Sequence, residues 1–224
     1  VGNHETLELS SKALKTYHLG RLKALGMLPE DYDQVYYDGE VNGYHFILLA
    51  QYDDYTESGY KLGWMKAASI RQRQLEWLEQ KLKQYCGKGK PVFLAIHNAI
   101  AEVVDAQTDG SAPAHQKVVE CDALYDILER YPDVVIATGH VHHGLGDCCG
   151  LCETKSGYHV IDVPAFRCNQ KGYGWPDFLA AGRKHTGYFV YVYPHQVNLR
   201  AVDFVSQEWL TAYDQMTTYP GKQK

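Results

Sequence analysis

Four short apolar runs, separated by longer amphipathic stretches, constrain the fold of this chain more than any other feature. "YHFILLA" at 44–50, "PVFLAIH" at 91–97, "VVIAT" at 134–138 and "YHVIDV" at 158–163 have the length, β-branched content and bounding turn residues of buried strands. Between the first two, Ile70, Leu75, Leu78, Leu82 and Tyr85 recur at roughly helical spacing. Ser69 and Gln72 form a capping-box pattern at the start of this helix, and Gly87 stops it. A second helix is expected over about 116–131, with Val118, Cys121, Leu124, Leu128 and Tyr131 on one face and Pro132 at its end. Strand, helix, strand, helix, strand is the order of an α/β sheet. Toward the end, "TGYFVYVY" at 186–193 and "VNLRAVDF" at 197–204, joined by a Pro-His-Gln turn, read as an antiparallel hairpin. No repeat, low-complexity tract or linker interrupts the sequence, so residues 1–224 read as one domain.

With 224 residues, 45% of them hydrophobic and 22% charged, the chain can bury a sizeable core and is neither disordered nor fibrous in composition. The net charge is -5 and no run of Lys or Arg is present, which disfavours a nucleic-acid scaffold role. The longest apolar runs fall far below the roughly 18 residues of a membrane span. Nothing in the sequence assigns a compartment. Six cysteines (Cys86, Cys121, Cys148, Cys149, Cys152 and Cys168) permit disulfides without requiring them. Cys149-x-x-Cys152 resembles half a zinc knuckle but has no second pair, so a structural zinc, a disulfide and free thiols all stay open. "KGYGWPDF" at 171–178 reads as core or interface packing, or as a substrate-contacting loop.

The histidines are informative through where they fall. His97 closes the run "VFLAI", and His140 and His142 follow the run "VVIAT" in "GHVHHG". Ligands in α/β proteins collect just beyond the carboxyl ends of strands, so two strand ends carrying imidazoles point at one site. Neutral imidazole suits zinc, iron or manganese, and the flanking glycines let the backbone turn tightly enough to aim two rings inward. His143 reads as exposed or supporting, and His115 in "SAPAHQK" as a solvated loop histidine.

Asn3 and His4 in "GNHE", the lone His97 after an apolar strand, and "GHVH" at 139–142, in that order, resemble the last three motifs of the calcineurin-like metallophosphoesterases. The stretch "QLEWLEQKL" at 74–82 is similar to the corresponding helix of the purple acid phosphatase branch. The resemblance implies a two-sheet α/β sandwich with flanking helices. It also implies that Asn3, His97 and His140 hold one divalent ion, that His142 holds another, and that His4, oriented by Glu5, contacts the phosphoryl group and assists the leaving oxygen. In the complete form two ions (Fe, Mn or Zn) would activate a water for hydrolysis of a phosphate ester or anhydride, with a small-molecule or macromolecular phosphoester as substrate.

Members of that family also carry upstream Asp-x-His and Gly-Asp motifs. This chain has no Asp-x-His, and its only Gly-Asp, Gly146-Asp147, follows the last histidines. It therefore reads as an N-terminally truncated member, expected to bind at most one ion weakly and to associate through an exposed sheet edge. The alternative is a non-catalytic binding module or relic of the fold. A mononuclear metal site of another kind would require a carboxylate near His97 and His140, for which Asp105 and Asp162 are candidates.

Overall fold

The computed structural model describes residues 11–50, 70–107, 117–118, 122–140, 144–145, 150–154, 158–164 and 185–219. Among the described residues, helices α1 (Ser11–Ala24), α2 (Gln72–Tyr85), α3 (Ala101–Gln107) and α4 (Asp122–Glu129) lie among twelve strands. These strands are β1 (Tyr37–Val41), β2 (Tyr44–Leu48), β3 (Val92–Ala95), β4 (Ala99–Ile100), β5 (Lys117–Val118), β6 (Val134–Thr138), β7 (Gly150–Glu153), β8 (His159–Asp162), β9 (Thr186–Tyr193), β10 (Gln196–Asp203), β11 (Glu208–Trp209) and β12 (Gln215–Thr218). The architecture is mixed α/β with two main sheets, as the sequence suggests at that coarse level.

The larger sheet has the order β1-β2-β3-β6-β8-β7. Its four inner strands are the four apolar runs and lie parallel, while β1 and β7 flank them antiparallel. Near-continuous apolar sequence fits this placement, because inner parallel strands are covered on both faces. Strand β6 shows how the alternation divides. Val134 and Ile136 enter one core with Leu78 and Leu82 of α2 and Leu124 and Leu128 of α4. Val135 enters a second core with Ile161 of β8, Val197 and Leu199 of β10, and Tyr219. The sheet is thus the middle of three layers, with helices on one face and the β9–β12 sheet on the other. Leu78 and Leu82 are fully buried, and removing either side chain to Ala would cost about 2–5 kcal/mol.

Two local expectations are corrected. Helix α2 starts at Gln72 behind Arg71, which provides no side-chain cap. Gln72 Nε2 donates forward to Glu76 Oε1 at 2.9 Å instead of reaching back, so the capping box does not open the helix; Ser69 lies outside the described residues. The second helix is shorter than 116–131. Val118 sits in β5, fully buried and paired with Ile100 of β4, and α4 begins only at Asp122. A β-branched residue with a neighbouring strand to pair with is better placed there than in a helix.

The expected hairpin is present as β9 and β10, joined by the two-residue turn Pro194-His195. Strand β9 pairs along the whole of β10, whose other side is shared by β12 and β11. Among the described residues no helix is long and apolar enough to cross a membrane.

Candidate functional site

Because β2, β3, β6 and β8 are parallel, their carboxyl ends share one edge of the sheet. The ladder continues past the strands themselves. Leu49 N donates to Ala95 O at 2.9 Å, Ile96 N to Ala137 O at 3.0 Å, Gly139 N to His97 O at 3.1 Å and Val163 N to Thr138 O at 2.8 Å. Buried Gln74 of α2 closes the end of the β2 segment with both halves of its amide. Its Oε1 accepts from Ala50 N at 2.8 Å, and its Nε2 donates to Ala50 O at 3.3 Å. The edge is therefore held by backbone pairing up to His97 and Gly139.

His97 follows β3 and His140 follows β6, and the two side chains meet. His97 Nε2 lies 2.9 Å from His140 Nδ1, with ring centroids 4.7 Å apart and planes at 61°. Both rings are half-buried. His140 has φ +75°, a left-handed backbone that a residue with a Cβ adopts at a cost of about 1 kcal/mol or more. Strain of this kind at the residue that aims a ring toward its partner is characteristic of functional positions.

The two nitrogens are spaced as a metal pair would be. With each imidazole nitrogen about 2.0–2.1 Å from an ion, two such donors stand roughly 2.9–3.4 Å apart for coordination angles of about 90–109°. The observed 2.9 Å falls within that range. When the pair holds no cation, one ring donates a hydrogen bond to the other. Among the described residues no three of His, Cys, Asp and Glu come together as a metal cluster. This pair therefore supplies two donors, and neither Asp105 on α3 nor Asp162 on β8 joins them as a third ligand. Asn3, His4, Glu5, His115, His142 and His143 lie outside the described residues, as do Cys121, Cys148, Cys149, Cys168 and the stretch 171–178.

Asp162 nevertheless belongs to the same edge. It ends β8 directly opposite Thr138, the last residue of β6 and two positions before His140. Only 3% of Asp162 is exposed. Burial raises its carboxyl pKa from 3.8 to about 7, against a smaller lowering by the hydrogen bond from the Thr138 hydroxyl. Its Oδ1 has no hydrogen-bond partner among the described residues. Asn98, the residue after His97, is fully buried as well. Sequence reasoning missed Thr138, Asn98 and Gln74. The signal it could have used is a polar residue at the carboxyl end of an apolar run.

Cys86 follows α2 and packs against the main core. Burial pushes its thiol up to about 12, which makes it an unreactive packing group. No protein-family model matches the chain, and no curated protein matches it in sequence.

Proposed function

We propose that the chain carries part of the metal site of a phosphoesterase, a hydrolase acting on phosphate esters or anhydrides, built on a metallophosphoesterase-like sandwich. The observation that carries this reading is the approach of His97 Nε2 to His140 Nδ1 at 2.9 Å, from two separate strand ends on one sheet edge. The order of "GNHE", His97 and "GHVH" along the chain supports it, as does the two-sheet architecture with parallel strands feeding that edge.

A divalent ion held there would neutralise phosphoryl oxygens and lower the pKa of a bound water toward neutrality. His97 and His140, as neutral imidazoles, present their facing nitrogens to it. Asn3 would add an amide oxygen, and His142 would serve a second ion. His4, held by Glu5, would donate a proton to the departing oxygen. Zinc, iron and manganese all suit this donor set.

The test is metal binding and hydrolysis by the purified chain. We expect at most one Zn2+ or Mn2+ per chain, weakly held, with slow turnover of p-nitrophenyl phosphate or bis-p-nitrophenyl phosphate. His97→Ala and His140→Ala should each weaken binding roughly 10-fold or more. A His97→Ala chain that binds the ion as tightly as the parent would overturn the reading and favour a binding module without catalysis.

A further inference from the structure

A carboxylate removed from water is costly unless a charge, a hydrogen bond or a metal compensates it. Asp162 is 97% removed from solvent by its 3% exposure, forms no ion pair among the described residues, and leaves Oδ1 without a partner among them. A residue serving only packing at the end of β8 would be apolar, as Val160 two positions earlier is. Thr138, the register partner of Asp162, is tied to the β8 segment by its carbonyl, which accepts from Val163 N at 2.8 Å, and its hydroxyl favours the charged form of the Asp162 carboxyl. Two residues on, the backbone enters the left-handed turn that brings His140 against His97.

We propose that Asp162 is a positioning residue of the histidine site: its carboxylate favours a cation held between His97 and His140, and through its register pairing with Thr138 it fixes the strand end that presents His140. This rests on the metal reading above. The residues hydrogen-bonded or charged around a metal's ligands set their orientation and basicity, and losing one typically weakens binding by about 10- to 100-fold.

The experiment compares the parent chain with Asp162→Asn, Thr138→Val and His97→Ala, measuring Zn2+ affinity by competition with a chromophoric chelator. The urea midpoint in EDTA at about pH 8 is measured alongside, where an unneeded buried charge costs stability. Asp162→Asn keeps the shape and an acceptor for Thr138 while removing the charge. It should weaken Zn2+ binding roughly 10- to 100-fold while leaving the urea midpoint equal to or above the parent's. Thr138→Val should weaken binding less, by about 10-fold. Zn2+ binding unchanged in Asp162→Asn but lost in His97→Ala would overturn this proposal alone. Affinity and urea midpoint falling together in Asp162→Asn would also overturn it, because that marks a purely structural residue. A parent chain that binds no Zn2+ would overturn both this proposal and the metal reading.

Discussion

At Asp162, burial and ionisation oppose each other, and the opposition has a measurable pH signature. The folded chain holds the carboxyl proton up to about pH 7, whereas the unfolded chain releases it near 3.8. Between those values the native state binds more protons, so this group's contribution to stability is complete below the lower value and is lost as pH rises through the upper one. A shift of about three units corresponds to roughly 4 kcal/mol. Asparagine cannot ionise, so the stability advantage of Asp162→Asn over the parent should grow by up to about 4 kcal/mol between about pH 4 and pH 8. Urea titrations in EDTA across that range check it, and parallel curves for the two proteins would refute it. The histidines were legible in the sequence because each sits at the end of an apolar run. The contribution of Thr138 was not, since it arises from strand register that no local pattern encodes. Gln74 was hidden for the same reason, gripping Ala50 from 24 residues away.

Elements show the same division between local and non-local information. The four inner strands and the β9–β10 hairpin were readable because burial imposes an apolar composition on them. Strand β1 was not, since "YDGEV" contains Asp, Gly and Glu, poor strand formers that pairing with β2 overrides. Its signal lies in the turn. Asn42 and Gly43 have φ +52° and +76° between Val41 and Tyr44, the two-residue geometry for which Asn-Gly is best suited. A Cβ at Gly43 would need the left-handed region and would lie 2.8 Å from Lys90 Nζ, which donates to Gly43 O at 3.0 Å. Gly43→Ala should therefore destabilise the protein by about 1–2 kcal/mol, read from thermal or urea unfolding. Helix α4 shows the opposite failure. Its apolar face is legible, but the same periodicity runs back through Val118, which tertiary pairing takes into β5. The site as a whole was half legible: the sequence indicated the meeting of His97 and His140 and offered Asp162 as a candidate carboxylate, while strand order was needed to put Asp162 on the same edge.

For the whole molecule, the three-layer arrangement leaves β9 as an outer strand of its sheet among the described residues. Phe189, Tyr191 and Tyr193 are exposed along it, opposite Arg200, Asn198 and Gln196 of β10. A strand at the edge of its sheet among the described residues, carrying exposed aromatic side chains, favours association with a second copy. The chain should show concentration-dependent self-association in sedimentation velocity, and Tyr191→Lys should reduce it. Identical sedimentation of parent and variant would show that this strand does not mediate contact.

The backbone bonds that run past the strand ends carry a final implication. Gly139 N and Ile96 N are engaged at the very residues that lead into His140 and His97, on the two middle strands of the six. Such amides are released to solvent only by the largest openings of a protein, with free energies approaching that of complete unfolding. Deuterium uptake at Ile96 and Gly139 should therefore be among the slowest in the molecule and should track global denaturation. The imidazole pair would then persist intact until the protein melts and vanish in a single step, with no gradual loosening beforehand.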